Sequence, residues 1–358
     1  MHPLQPCFEI LKVLIQRILS VLTKILRLDR RNKKEEVGLA KVQVYILMGQ
    51  SNMLGEGKVH GDKDGTLEYA VMTKGLYPYL IDEEKHWVTS NTVRNVRVMD
   101  ARDGKMHVYN NEFLNASRSD TIGPELGIGK MMEKASDAPI LLLKSCIGNR
   151  SLGWDLLPPG STRYDFHDRT YAAYGECPAY WDKGAPKPDP TADWYAGKQY
   201  DTDIANAKSV LNELDKYYPN ATNYEVKGFF WWQGDKDRYD DSYATFYEHN
   251  LVRLIGQLRT EFAAPNAKFV LATLGQTDQG NASGNEKLLL DAMLAVDGNA
   301  GKHPEFRGNV ATVYSHPMSK GGSSNGHYNG NAETYQNVGE AMGNAMTELG
   351  NSATKLEV

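Results

Sequence analysis

Five apolar runs of six or seven residues recur along the chain, at Val42–Met48, Pro139–Ser145, Val226–Trp232, Lys268–Leu274 and Val310–Ser315. They are rich in β-forming residues and too short for buried helices, so each predicts a strand. The intervals carry the helical period instead. Gly123–Ala135 is one, and Asp203–Tyr217 is another, with Ile204, Ala207, Val210, Leu211 and Leu214 along one stripe. Ser242–Phe262 repeats the pattern with Tyr247, Leu251, Leu254, Ile255 and Leu258, and Leu288–Val296 and Glu333–Leu349 complete the set. Strands that alternate with helices argue for a parallel sheet covered by helices on both faces.

The chain has 358 residues, 41% of them hydrophobic, which suffices for a sizeable core. We expect one catalytic-looking domain over residues 40–350 and a short tail over 351–358. Two long segments break the alternation, 56–121 and 149–199. The first contains a predicted hairpin, Val96–Met99 with Lys105–Tyr109, around Asp103-Gly104. The second is rich in Pro, Gly, Trp and Tyr. Both follow predicted strands, so both are expected to overhang the carboxyl edge of the sheet, and loops of this length are commonly functional.

Residues 1–39 read as an amphipathic helix followed by a charged linker. Within 8–28, Ile10, Leu14, Ile18, Leu22 and Ile25 share the apolar face, opposite Lys12, Arg17, Lys24 and Arg27. The charges are too many for a membrane-spanning helix, and no small-residue cleavage site follows as in a standard leader. The pattern fits a helix lying at a membrane surface, one packed on the domain or on a partner subunit, or a degenerate leader. The expected setting is extracytoplasmic, periplasmic or secreted. Net charge is −5 with both signs interspersed, so no basic footprint points to nucleic acid. The three cysteines match no zinc or redox spacing. Cys146 reads as a buried small residue, and a Cys146–Cys177 disulfide stays open. Gly49–Lys58 is not a phosphate loop, because Val59 follows Gly57-Lys58, and Asp62–Gly65 lacks the later ligands of a calcium loop. Neither a metal nor a cofactor is expected.

The first apolar run ends abruptly in Gly49-Gln50-Ser51-Asn52-Met53. A buried parallel strand that stops this way delivers one hydroxyl to the sheet's carboxyl edge, where ligands collect in open α/β folds. Ser51 is therefore a candidate nucleophile, and it requires a base. His327 lies in the polar, glycine-rich loop 321–330, between the last predicted strand and the last helix, where a base could reach the same edge. Donors for a developing oxyanion are available at Gly148 and Asn149, after the second strand, and at Gln233, after the third.

The ordered set Gly49–Met53, Gly148 with Trp154 beyond it, Trp232-Gln233-Gly234-Asp235-Lys236-Asp237, and His327-Tyr328 with Gly330 resembles the SGNH/GDSL hydrolase superfamily. Within it the chain is similar to sialate O-acetylesterase-like carbohydrate esterases, over about residues 41–349. Gly123-Pro124-Glu125-Leu126 matches that family's opening of a helix. The resemblance implies a flavodoxin-like three-layer α/β/α sandwich with a central parallel sheet, the SGNH hydrolase fold. It also implies a serine esterase that hydrolyses O-acetyl esters on carbohydrate, on a sialate or an acetylated polysaccharide, through an acyl-enzyme and without a cofactor. Ser51 would be the nucleophile and His327 the base. The Ser51 N–H, Gly148, Asn149 and Gln233 would form the oxyanion hole. Gln50, Asn52, Trp154 and Trp232 would line the substrate site, with Trp181 and Trp194 as further candidate walls.

One departure stands out. Many relatives carry Asp three residues ahead of the catalytic His, and Ser324 stands there. Three readings stay open: Asp235 supplies the acid, the site is a Ser–His dyad, or the site is impaired. The rival functions are a non-catalytic carbohydrate-binding protein on the same fold and a membrane-surface lipase or lysophospholipase.

Overall fold

A computed structural model of the chain describes residues 41–100, 104–190 and 192–354. The expected N-terminal helix over 8–28, its linker, Cys7 and the last residues of the tail lie outside them. The core is a seven-stranded sheet. Its strands are β1 (Val42–Gly49), β2 (Val93–Asp100), β3 (Met106–Phe113), β4 (Ile140–Ser145), β5 (Tyr224–Trp232), β6 (Lys268–Ala272) and β7 (Val310–Val313). Across the sheet they run β7-β6-β5-β1-β4-β2-β3. Every neighbouring pair is parallel except β2 and β3, which are antiparallel.

Without the β2–β3 pair this is the flavodoxin-like order. The chain leaves β1 for β4 on one side and later returns for β5 on the other. That reversal opens a crevice at the carboxyl ends of β1 and β5. Ser51 and Gln233 follow those two ends directly.

Five helices of eleven residues or more cover the sheet among the described residues: α1 (Glu125–Ala135), α2 (Lys198–Asn212), α3 (Asp241–Glu261), α4 (Gly284–Ala295) and α5 (Ala332–Thr354). Strand side chains alternate between the layers. Val44, Ile46 and Met48 of β1 face α2, α3 and α4, whereas Tyr45 and Leu47 face α1 and α5. Val44, Ile46, Leu47 and Met48 are at most 1% exposed. At about 1.5–3 kcal/mol each, burying them stabilises the central strand by an upper estimate of roughly 6–12 kcal/mol. The α3 start is set by Asp240, whose carboxylate accepts the N–H groups of Ser242 and Tyr243 at 2.9 and 3.1 Å.

All five expected strands are present, with ends moved by no more than two residues. Segment 56–121 differs from the expectation. It is not only an overhanging loop, because β2 lies parallel to β4 and carries Val93, Val96 and Val98 into the core at 0% exposure. The expected helix Asp203–Tyr217 is two pieces. Gly197, at φ +91°, lets α2 begin at Lys198, and a separate turn covers Leu214–Tyr217. Segment 149–199 holds a small antiparallel sheet of Tyr164–Phe166, Arg169–Tyr171 and Tyr180–Asp182. Its aromatic face packs on α3, with Tyr164 and Phe246 ring centroids 4.1 Å apart. Cys146 and Cys177 are both free and buried, so no disulfide joins them. Among the described residues no helix is long and apolar enough to cross a membrane.

Candidate active site

The site begins with a close approach. Gly49 has φ +146°, and a Cβ built on it would stand 2.4 Å from the Trp232 carbonyl oxygen. Only glycine lets β1 and β5 converge there. The chain then turns into the short helix Ser51–Leu54, which leaves Ser51 partly exposed. Gly148 sits against it: a Cβ at Gly148 would lie 3.7 Å from Ser51 Cβ and 3.8 Å from Leu54 Cδ1. The short helix also packs on the 324–330 turn that carries His327. Ser51, Gly148 and the His327 turn are therefore neighbours, although they come from three separate loops. Among the described residues, neither the Ser51 nor the Gly148 backbone N–H donates a hydrogen bond.

His327, Tyr328 and Asn329 all adopt left-handed backbone, at φ +51°, +51° and +52°. Non-glycine residues avoid this region at about 1–2 kcal/mol each. What holds the turn is Tyr328. Its ring is fully buried, stacked on Trp232 at 5.9 Å and edge-on to Tyr335 at 5.7 Å, and its hydroxyl accepts the Gly275 N–H at 3.2 Å. His327 itself is half-buried. Among the described residues no hydrogen bond joins it to Ser51 or to a carboxylate.

Asp235 binds next to the histidine's turn rather than on the ring. Its Oδ1 accepts Ser324 Oγ–H at 2.5 Å and Arg238 Nε–H at 2.9 Å. Ser324, three residues ahead of His327, is fully buried, and its N–H donates to Gln276 Oε1 at 3.2 Å.

Behind the site lies a buried network. Asp237 accepts the N–H groups of Leu152 and Gly153 at 2.9 and 2.8 Å, and Gln233 Nε2–H at 2.5 Å. Gln233 Nε2 also faces Arg150 O at 2.8 Å and Gln50 Oε1 at 3.2 Å, while its Oε1 accepts Tyr247 O–H at 2.8 Å. Gln50 Oε1 further accepts the Lys236 N–H at 3.2 Å. Burial pushes the Asp237 carboxyl up to about 7, opposed by its three donors, which favour the anion. A second buried pair closes the other side. Lys144 Nζ donates to Glu125 Oε2 at 2.6 Å and to Leu54 O at 2.9 Å, which fixes the end of the Ser51 helix.

This geometry alters several expected roles. Gln233 has two amide protons and three protein acceptors, so none is left for an oxyanion. Gln50, Asn52 and Trp232 are 2%, 0% and 0% exposed, behind the surface a sugar would touch. Trp232 serves instead as the platform for Tyr328. Trp154 is half-buried against the cluster of Leu157, Ala172, Trp181 and Ala196. Trp194 donates its Nε1–H to Asp155 at 3.0 Å and carries the Arg150 guanidinium over its ring at 4.7 Å. Asn149 is exposed, in left-handed backbone beside Gly148. The roles sequence reasoning missed are those of Asp237, which anchors the loop after β4, and of Lys144 and Tyr328. Only the second acid of the Gln233–Asp237 motif hinted at the first. Among the described residues, the acidic and histidine side chains close enough to share a metal ion are Asp82, Glu84 and His86, all exposed and none of them a site residue.

Residues 41–348 match the family described as carbohydrate esterase, sialic acid-specific acetylesterase. The chain belongs to this family. It is accordingly a carboxylic ester hydrolase of the carbohydrate O-acetylesterase kind. No curated protein matches the sequence. Among solved structures it is similar in fold to a carbohydrate acetylesterase from Xanthomonas citri, at 13% identity and a TM-score of 0.51, over 87% of this chain and 57% of that one. The chain thus spans little more than half of that protein. A protein of Arabidopsis thaliana matches at 15% identity over 85% of this chain and 97% of its own, with a TM-score of 0.47. NanS matches at 13% identity over 78% of each chain, with a TM-score of 0.41.

Proposed function

We propose that this carbohydrate O-acetylesterase works through an acyl-enzyme on Ser51. Ser51 Oγ attacks the acetyl carbonyl carbon while its proton passes to His327. The tetrahedral intermediate places its negative oxygen toward the uncommitted N–H groups of Ser51 and Gly148. The ester C–O bond then breaks, and the sugar oxygen leaves with the proton from His327. Water attacks the acetyl-enzyme, His327 takes that water's proton, and acetate departs as the proton returns to Ser51 Oγ.

The observation that carries this reading is the packing of the Ser51 helix against both Gly148 and the His327 turn. It is the arrangement that nucleophile, oxyanion donor and base require of three different loops. Asp235 supplies the negative charge on this reading. It stands one hydrogen bond from Ser324, whose position many relatives fill with Asp. Gln233 and Asp237 act as positioning residues, because they hold the loop that carries Gly148. The test is hydrolysis of an aryl acetate and of O-acetylated sugars by the parent and by Ser51→Ala. Loss of turnover by at least about 10³-fold, with an unchanged melting temperature, is expected. A Ser51→Ala protein that keeps full activity refutes the reading.

A further inference from the structure

The loop that carries Gly148 is held from two sides. From within, Gln233 Nε2–H donates to Arg150 O at 2.8 Å. From outside, the Arg150 side chain folds back over the turn that precedes it. Its Nη1 donates to the Asn149 carbonyl at 3.2 Å and, at 3.5 Å, to the Gly148 carbonyl. Its Nε–H donates to Gln199 Oε1 at 3.2 Å, and the guanidinium lies over the Trp194 ring at 4.7 Å. Arg150 makes no ion pair among the described residues, so its donors are spent on neutral oxygens.

Both supports of the guanidinium lead back to the same loop. Gln199, 3% exposed in the first turn of α2, donates Nε2–H to Asp203 Oδ1 at 2.7 Å. The Asp203 carbonyl in turn accepts Ser145 Oγ–H at 2.8 Å. Ser145 is the last residue of β4, where the loop departs. Trp194 donates to Asp155 Oδ1, and Asp155 Oδ2 accepts the Ser151 N–H at 2.8 Å and Ser151 Oγ–H at 3.0 Å. The stretch between Ser145 and Ser151 is therefore fixed at both ends, with the Arg150 fork across its middle. That middle needs holding, because Asn149 sits in left-handed backbone at φ +56°.

A planar trans peptide sends its C=O and its N–H in opposite directions. The Gly148 carbonyl and the Asn149 N–H share one such peptide. With the carbonyl turned to the guanidinium, the Asn149 N–H points away from it, and among the described residues it donates to no protein acceptor. The same holds for the Gly148 N–H beside Ser51. We propose that Arg150 is a positioning residue of this esterase: its guanidinium, seated on Trp194 and Gln199, fixes the Gly148–Asn149 turn so that its free N–H groups stay aimed at the acetyl oxygen held at Ser51. Donors set in advance in this way stabilise a developing oxyanion without reorganising during the reaction. A planar fork that stacks on an aromatic ring while donating at its edge suits arginine, and a lysine ammonium lacks that shape. The inference rests on the reading of Ser51 as the reacting group.

Aryl acetate kinetics on the full chain test it. Arg150→Met keeps the stem of the side chain and removes every donor. Its kcat should fall about tenfold or more while KM changes by less than about twofold, with the melting temperature little altered. Arg150→Lys, which keeps the charge and a donor but not the fork, should recover only part of the loss. Trp194→Leu removes the platform and leaves the donors, so it should show the same pattern at smaller size, and it decides the matter if Arg150→Met yields no folded protein. Arg150→Met combined with Asp237→Asn should lose less than the product of the two single losses, because both release one loop. A parent-like kcat in Arg150→Met, a loss carried by KM, or losses that multiply in the double variant would overturn the proposal. Ser51→Ala assayed beside them separates the two readings. Full turnover in Ser51→Ala refutes the nucleophile, whereas lost turnover there with a parent-like kcat in Arg150→Met overturns only the positioning role.

Discussion

Asp237→Asn is the perturbation that most directly tests how the Gly148 loop is held. The parent carboxylate accepts hydrogen bonds from Leu152 N–H, Gly153 N–H and Gln233 Nε2–H. Asparagine keeps the shape but offers one oxygen and an NH₂ group. One of the three donors then faces another donor in a dry interior, at about 1–3 kcal/mol. The loop should shift, and a displacement of about 1 Å near reacting atoms costs on the order of 10²-fold in rate. A fall in kcat of roughly 10–100-fold is expected, with KM changed less. The pH dependence provides a second, independent reading. The folded Asp237 carboxyl titrates at about 7, above the usual carboxyl value of 3.8, because it is buried. The folded state therefore binds more protons than the unfolded chain between those values. The resulting stability is full below pH 3.8 and is lost as pH rises through about 7, to a total on the order of 4 kcal/mol. The variant lacks this group, so the stability gap between parent and variant should narrow from pH 4 to pH 7. Chemical denaturation across that range and aryl acetate kinetics measure both effects. A variant as active as the parent, or a gap that stays constant or widens with pH, would refute the reasoning.

Asp235→Asn keeps an acceptor for Ser324 but removes the charge, and kcat should fall by about 100-fold with little change in melting temperature. Ser324→Ala keeps the charge and removes one hydrogen bond, so a loss nearer tenfold is expected. Equal activity of Asp235→Asn and parent would leave a Ser–His dyad. Gly49→Ala forces a Cβ into the Trp232 carbonyl at a positive φ. It should destabilise the domain by more than about 4 kcal/mol, read as lost soluble yield or a sharply lowered melting temperature.

The parallel core was legible because it is repetitive. β1, β4, β5, β6 and β7 are predominantly apolar runs, with polar residues such as Gln43, Lys144 and Lys227 as interruptions, because most positions of such strands are buried on both faces. β2 and β3 were half legible. Arg94, Asn95 and Arg97 interrupt the apolar pattern of β2: Asn95 and Arg97 border a polar recess, and Arg94 donates to the Tyr217 and Asn111 carbonyls. The three loops of the candidate site were readable from short motifs at strand ends. The direction of each polar side chain was not. Gln50, Gln233 and Asn52 look like substrate-facing amides in sequence, yet loop closure turns them inward. A Gln that donates to an oxyanion and a Gln that ties three loops together have the same letters on either side. Only the fold distinguishes them, by showing how many acceptors already surround the amide.

The network also accounts for the unusual residue ahead of the histidine. Relatives with Asp at that position carry acid and base on one turn, so their geometry is fixed locally. On the proposed reading the negative charge sits on Asp235, in the loop after β5, and the histidine on the loop after β7, and the Ser324–Asp235 hydrogen bond links the two loops. That link works only if both loops are rigid. The β5 loop is held by Gly234 at φ +136°, by the Lys236 N–H on Gln50 and by buried Asp237. The β7 loop is held by Tyr328 between Trp232 and Tyr335. Trp232 belongs to the end of β5 itself, so the aromatic stack and the serine–aspartate bond join the same two loops at two points. A hinge fixed at two points can be displaced only by breaking both. This gives the left-handed backbone at His327 its rationale: the turn is held in a costly conformation because the stack beneath it and the carboxylate beside it leave no other path for the chain.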